Sequence, residues 1–330
     1  MFTRPDDFSD AQVVDALGAW QLTVDTIEYA AVGFGSHHWR VVANGRMWFV
    51  NMDDVEAKRR DRESFEESLR RLGAALLTAW SLQCAGLEFV VAPIRNTAGA
   101  IIELVDHRYA VALYPHVDGE SRSCGPYLNR SERLAVLDVL ADLHRSTDVA
   151  RPTAITDDLK IDGRDQLVAA LDDLDTQWTA GPYAEKTRAS LRPRADDVNC
   201  ALGHYDELVA AVIEQRERMV VTHGEPHRGN TIGTPSGVRL IDWDTVLIAP
   251  PERDLWSLAA EDPSIAADYA ATTGIITNDD SMKLYSLRWD LTEISMFVGE
   301  FRRAHDDTED TRVAWSGLSH QLDAARWAAP

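Results

Sequence analysis

Apolar positions change their period near residue 114 of the chain. Before that point they form short runs, "TIEYAAV", "HHWRVVA", "MWFVNM", "LEFVVAPI" and "HRYAVALYP", each of strand length and rich in β-branched and aromatic residues. The second and third flank Asn44-Gly45, a pair that accepts the positive φ of a two-residue hairpin. A single helix interrupts them: between Glu63 and Gln83, Phe65, Leu69, Leu72, Leu76 and Trp80 recur at steps of three and four, which describes one buried helical face. After "YPHVDGES" the period turns helical, and helices are predicted over 131–145, 164–178, 196–217 and 279–304, with Ser131 as N-cap of the first. The stretch 219–243 is a β-rich exception inside this half. The pattern predicts an α+β chain in two lobes: a β-rich lobe with one helix over 1–114, a hinge over 115–120, and a mostly helical lobe over 121–330.

With 330 residues and 45% hydrophobic content the chain is long enough for two cores. Its net charge of −21 and pI near 4.8 repel phosphate backbones and anionic lipid headgroups, so nucleic acid and membrane surfaces are poor partners and a cationic small molecule is a better one. Cys84, Cys124 and Cys200 are an odd number without metal-ligand spacing. They are expected to be small buried hydrophobes, not a disulfide framework or a zinc site. The first residues, "MFTRPDDFSD", carry acids and a proline where a leader would need an apolar core, and no run of about 18 apolar residues occurs. The expectation is a cytosolic protein.

The segment "VVTHGEPHRGNTI", residues 220–232, passes from a strand-like run into a polar loop with no periodicity. Asn230 follows Glu225 by five residues, and Asp242 in "LIDWDTV" follows Asn230 by twelve. The intervening "TIGTPSGVRL" reads as a hairpin turned at Pro235-Ser236-Gly237, which sets Asn230 beside Asp242. Strand alternation would point Trp243 away from Asp242 and Asp244, leaving Asp244 to hold the loop.

These motifs resemble those of the aminoglycoside phosphotransferase family, which includes choline-kinase-like enzymes. "HGEPHRGN" is similar to the family's H-x-D-x-x-x-x-N loop, "LIDWD" to its I-D-W/F motif, and "PPERDL" with Asp254 to its continuation; "LYPHVDGES" and the "LADLH" of 140–144 sit where the family places its hinge and a following helix. Spectinomycin phosphotransferases are nearest in length and in the "IDWD…APPERDL" run. The resemblance spans roughly residues 30–300 and is strongest over 219–258.

The resemblance implies a bilobal protein-kinase-like fold that uses ATP or GTP with Mg²⁺ to phosphorylate a hydroxyl of a cationic small molecule, an aminoglycoside or aminocyclitol such as spectinomycin. Glu225 would orient the acceptor hydroxyl and take its proton, with His223 supporting the loop. Asn230 and Asp242 would hold Mg²⁺, which prefers oxygen ligands shared with phosphates. Gly33, Gly35 and Ser36 would form the loop over the triphosphate, Tyr114 and His116 of the hinge would border the nucleotide, and His227 would contact acceptor or phosphate. Trp289, Asp290, Glu293 and Glu300, with Phe297, would form an acceptor site of acids and an aromatic suited to ammonium groups, although the same spacing suits an ordinary amphipathic helix.

Two positions depart from the family pattern. Glu225 stands where the family has Asp. Asn51 stands where relatives carry the phosphate-binding Lys, and an amide supplies no charge. Lys58, Arg59 and Arg60 read as a solvated charge run, with reach to the phosphates as the alternative, and Glu63, Glu66 and Glu67 are candidates for the helix Glu that pairs the Lys in relatives. Two further readings therefore stand beside the first: a kinase-like pseudoenzyme that binds nucleotide or small ligand without transfer, and a metabolic kinase of an amino-sugar or choline-like substrate.

Overall fold

The structure is a computed structural model and describes residues 1–213 and 218–323. In chain order its strands are β1 Val24–Ala30, β2 His37–Ala43, β3 Arg46–Asp54, β4 Glu103–Val105, β5 Tyr109–Pro115, β6 Glu120–Ser121, β7 Val220–Thr222, β8 Thr231–Thr234, β9 Gly237–Leu240 and β10 Leu247–Ala249. Its helices are α1 Asp10–Leu17, α2 Phe65–Cys84, α3 Arg130–Arg145, α4 Thr147–Ala150, α5 Arg164–Asp172, α6 Ala184–Leu191, α7 Ala195–Val212, α8 Glu252–Glu261, α9 Ile265–Thr273, α10 Asp279–Phe301 and α11 Glu309–Asp323.

The described residues fall into two compact units. One holds residues 1–59, 63–157 and 218–278; the other holds 60–62, 158–213 and 279–323. The first contains every strand, and residues 115–120, the expected hinge, lie inside it. In the second, α10 packs against α5, α7 and α11. Among the described residues no helix is long and apolar enough to cross a membrane.

The main sheet is antiparallel in the order β1-β2-β3-β5-β4. Asn44 (φ 52°) and Gly45 (φ 70°) turn β2 into β3, as the Asn-Gly pair predicts. Alternation gives the sheet two apolar faces. Val50, Met52, Val111 and Leu113 pack with Trp39 and Phe8 on one side, while Phe49, Ala110, Ala112 and Tyr114 pack with Leu72 and Leu76 of α2 on the other. Asn51 and Asp53 alternate with Val50 and Met52 and so share the α2 side.

Capping fixes the helix starts. Ser64 and Glu67 form a reciprocal capping box on α2, and Ser9 and Gln12 do the same on α1, satisfying amides that have no partner within the helix. Helix α1 was not expected, because it is only eight residues long, although Val13, Ala16 and Leu17 bury one face of it at helical spacing. The cap of α3 is Asn129, which accepts from the Glu132 amide, while Ser131 lies in the helix and donates to Asn129. Helix α5 stops at Asp172 instead of 178, and the end of the expected 196–217 helix includes residues outside the described ones. "LEFVVAPI" forms no strand; it meets β9 at a single parallel bridge, Val90 to Leu240, flanked by hydrogen bonds from the Val91 amide to Leu240 and from the Leu240 amide to Phe89. All three cysteines are exposed, because each lies on the outer side of a helix or in a surface segment, so the expectation of buried thiols fails.

Candidate active site

Strand β7 pairs with β10 and delivers the chain into His223 at its end. His223 is fully buried. Its amide donates to Asp254 Oδ2 at 2.8 Å, its Nε2 donates to the Ile241 carbonyl at 2.9 Å, and its Nδ1 accepts from the Glu225 amide at 3.3 Å. Those partners require the neutral ring protonated at Nε2, and burial pushes its pKa down. Trp243 meets the ring edge-on at 4.7 Å. His223 therefore fixes the backbone of Glu225 and directs no free donor outward.

Gly224 has φ 101°, and a Cβ there would lie 2.3 Å from the Arg253 guanidinium. Only glycine fits, on both conformational and steric grounds. Its amide donates to Asp254 Oδ1 at 2.6 Å, and Arg253 donates to Thr222 Oγ1 and the Thr245 carbonyl. Asp254, fully buried at the start of α8, also receives His144 Nε2 at 3.1 Å, while His144 Nδ1 meets the Tyr269 hydroxyl at 2.8 Å. Burial would raise the Asp254 pKa, but the His144 hydrogen bond, with Arg253 and His223, holds it below the usual range. The loop is thus anchored from α3, α8 and α9 by a buried carboxylate with all its acceptor needs met.

Glu225 stands half-buried at the head of this loop. Loss of hydration, then the Asp244 carboxylate, push its pKa up to about 7. His227 Nε2 lies 3.9 Å from Glu225 Oε2, and burial lowers its pKa to about 4, so the ring is neutral. Asn230 is buried; its Nδ2 donates to the Glu225 carbonyl at 3.1 Å, which assigns the amide orientation and leaves Oδ1 as its acceptor. The β8–β9 hairpin pairs Thr231 with Leu240, and the Ile241 amide donates to the Asn230 carbonyl at 3.0 Å. Asp242 is consequently next to the residue facing Asn230, as the hairpin predicts.

The chain does not continue as a strand there. Asp242 is left-handed (φ 67°, ψ 66°), and Trp243–Thr245 form a 3₁₀ turn. Trp243 is buried against His223 because of this turn and not through strand alternation. Asp242 faces solvent, yet protein around it strips hydration, and the Asp244 and Glu225 carboxylates add repulsion, so its pKa stands well above the carboxylate range. Burial acts on Asp244 in the same direction, but the Lys58 ammonium outweighs it and lowers the pKa.

Lys58 is the main residue that the sequence reading misplaced. Far from being solvated, its Nζ lies 2.5 Å from Asp53 Oδ1, 2.9 Å from Asp244 Oδ2 and 2.9 Å from Ser36 Oγ. Desolvation opposes its charge, but Asp244 and Asp53 prevail and raise its pKa well above that of a free lysine. Ser36 is buried and donates to Asp53 at 2.6 Å, so its hydroxyl is engaged with protein groups. Gly33 (φ 72°) and Gly35 (φ 85°) shape the preceding loop. Asn51 faces Ala112 on β5 and its Oδ1 meets His38 Nδ1 at 3.0 Å; the His38 ring stacks on Phe49 and lies under Gly33. Burial lowers the His38 pKa to about 4, so this pair adds no positive charge where Asn51 replaces the expected Lys.

The remaining expected residues divide between the units. Buried Tyr114 is raised well above the usual phenol range by burial and by Asp53, Asp242 and Asp244, which puts it in the field of the same carboxylates. His116 lies 3.5 Å from exposed Asp118. Glu63 is taken by Arg71 at 2.9 Å, Glu67 caps α2, and Glu66 is exposed. In the second unit Asp290 is buried on α10, and Trp289, Glu293 and Glu300 are half-buried. Phe297 is core: a Cβ on Gly317 of α11 would lie 2.8 Å from its ring. Burial lifts the Glu300 pKa to about 7. Among the described residues no group of three or more His, Cys, Asp or Glu side chains could hold a metal by itself. Asp53, Arg253 and His38 were missed altogether; alternation along β3 was the one signal that could have put Asp53 on the face of Asn51.

Comparison with known proteins gives the family and the fold. The profile of the phosphotransferase enzyme family APH matches residues 26–285. Protein StrN of Streptomyces griseus is 27% identical over 257 residues, covering 74% of this chain and 75% of that protein. Among solved structures, spectinomycin phosphotransferase APH(9)-Ia with ADP and spectinomycin superposes with a TM-score of 0.74 at 13% identity, covering 98% of this chain and 97% of that one. The choline kinase LicA of Streptococcus pneumoniae gives 0.55 at 12% identity, with 95% and 98% covered. The mixed architecture, an antiparallel sheet followed by a helical part, is therefore that of the kinase-like phosphotransferase fold.

Proposed function

Since the chain belongs to the phosphotransferase enzyme family, we propose that it transfers the γ-phosphoryl group of ATP or GTP to a hydroxyl of a cationic small molecule, an aminoglycoside or aminocyclitol such as spectinomycin. The observation that carries this reading is the locked His223–Asn230 loop, which fixes the Glu225 backbone and ties Asn230 to the hairpin strand that runs into Asp242, whose carboxylate lies in the field of Glu225. Glu225 orients the acceptor hydroxyl and receives its proton as the acceptor oxygen bonds to the γ-phosphorus and the bond to the nucleoside diphosphate oxygen breaks. A carboxyl pushed up to about 7 is a stronger base than an ordinary glutamate. Because phosphoryl transfer passes through a loose transition state, positioning matters more than base strength, and a locked loop supplies it.

The donor set fits Mg²⁺: hard oxygen atoms from Asn230 and Asp242, with surplus negative charge around Asp242 that a cation would offset. When bound, the ion would neutralise phosphate charge. Asn230 and Asp242 are the residues that would hold it, while Gly33, Gly35, Tyr114 and His116 would border the nucleotide and His227 the acceptor or phosphate. Trp289, Asp290, Glu293 and Glu300 remain the proposed acceptor residues, supported by their acidity beside an aromatic group.

The Asn51–His38 pair favours a second reading, a nucleotide-binding pseudoenzyme, because β3 supplies no charge to the phosphates. A third, phosphorylation of an amino-sugar or choline-like alcohol, shares all the chemistry above. An ADP- and GDP-release panel with Mg²⁺ against spectinomycin, other aminoglycosides, amino-sugars and choline separates them. Turnover with an aminocyclitol or aminoglycoside is expected; turnover with none of these acceptors, alongside intact nucleotide binding, would leave the pseudoenzyme.

A further inference from the structure

The turn after β3 is built to return one cation to the sheet face. The Asp54 carboxylate accepts from the amides of Glu56 and Ala57, both at 3.1 Å, and the Lys58 amide donates to the Asp54 carbonyl at 3.0 Å. Arg71 of α2 donates to the Lys58 carbonyl at 2.8 Å. With its backbone held from two directions, Lys58 brings its ammonium back to Asp53, Asp244 and Ser36, and its side chain is only 24% exposed.

Other nearby cations are committed to different work. Arg59 pairs with Glu56 and donates to the Glu63 carbonyl, Arg60 pairs with Asp162, Arg71 serves Glu63, and Arg253 braces Thr222 and Thr245. Asp53, Asp242, Asp244 and Glu225 put four carboxylates near the site, and each of them is attracted to the Lys58 ammonium. A nucleotide triphosphate adds further negative charge, which a site of this composition accepts only with a protein cation as well as Mg²⁺.

On the phosphotransferase reading given above, we propose that Lys58 is the residue that binds the nucleotide phosphates, in place of the charge that Asn51 cannot supply. Asp53 is its standing counter-ion, Ser36 links it to the glycine loop, and a phosphate oxygen takes over the donor now given to Asp244. A lysine suits this exchange because its three donors rotate on a flexible stem. The Lys58–Asp53 ion pair is thus made between turn and strand, while Glu63 pairs with Arg71 and Glu67 caps α2.

The test measures binding of Mg²⁺·AMP-PNP and of adenosine, which lacks phosphates, to wild type, Lys58→Met and Lys58→Arg. Lys58→Met is expected to weaken AMP-PNP by about 10- to 100-fold, the range of one or two charge-assisted hydrogen bonds, with adenosine affinity unchanged and with partial recovery in Lys58→Arg. If Lys58→Met melts too low to assay, the paired Lys58→Met, Asp53→Asn variant removes the orphaned charge and carries the same comparison. AMP-PNP affinity equal to wild type, or equal losses for AMP-PNP and adenosine, overturns the role of Lys58 while the phosphotransferase reading stands. A wild type that binds AMP-PNP no better than adenosine overturns both.

Discussion

The His223–Asn230 loop and helix α10 both carry polar residues at suggestive spacing, but the two regions hold them differently. In the loop, polar groups answer one another: His223 holds the Glu225 amide, Asp254 holds His223 and Gly224, and Asn230 holds the Glu225 carbonyl. No packing demand accounts for this order of residues, since the segment has no period and no apolar face. On α10 the steps of three and four that align Asp290, Glu293 and Phe297 are also the steps that build a core, and Asp290 and Phe297 are buried in one. An aperiodic polar loop is therefore stronger evidence for chemistry than a periodic polar stripe.

The largest test of this contrast is Glu225→Gln, which keeps the size and removes the proton acceptor. We predict a fall in kcat of about 10²–10⁴ with little change in nucleotide affinity. Glu225→Asp sharpens it: a loop fitted to the longer side chain loses about 100-fold for a displacement of roughly 1 Å, whereas a gain in rate would show that the loop only tolerates Glu. Next, Asp254→Ala strips the acceptor from two backbone amides and His144, and should cost about 3–5 kcal/mol in chemical denaturation. A cost below about 1 kcal/mol would mean that the loop is not held from beneath.

On α10 the effects should be smaller and of other kinds. Glu300 has a pKa raised from 4.5 to about 7 by burial, with Asp310 adding repulsion and Arg303 opposing. Its neutral form is the one that the fold favours, so its contribution is complete below about pH 4.5 and is lost as pH rises through 7. Glu300→Gln should therefore flatten that segment of the melting profile and stabilise the protein by about 1–3 kcal/mol above pH 7 relative to wild type. Parallel wild-type and variant profiles would remove the buried carboxyl from the account. Glu293→Gln should raise the acceptor KM by about 3- to 10-fold at constant kcat, the mark of uniform binding lost. An unchanged KM would reduce α10 to a packing helix.

Much of the fold was legible because local rules acted alone. The Asn44-Gly45 turn, the apolar face of α2 and the 12-residue spacing from Asn230 to Asp242 each follow from residues close in sequence. What stayed hidden depended on distance. Lys58 and Asp244 are 186 residues apart, and nothing in a run of three basic residues says which one turns inward. "LEFVVAPI" has the composition of a strand, but it meets a partner at one bridge, a matter of tertiary placement. Trp243 was read through strand alternation, which failed as soon as Asp242 took a left-handed conformation.

That conformation has an evolutionary side. A non-glycine residue at φ 67° and ψ 66° carries a conformational penalty of about 1–2 kcal/mol, eased for aspartate, and its carboxylate sits among like charges. Replacement by glycine would relieve both, so Asp242→Gly should melt above wild type while losing any Mg²⁺-dependent gain from nucleotide. Descendants that abandoned the chemistry would then meet no folding barrier at this position, and drift toward inactive binding proteins would run downhill in stability.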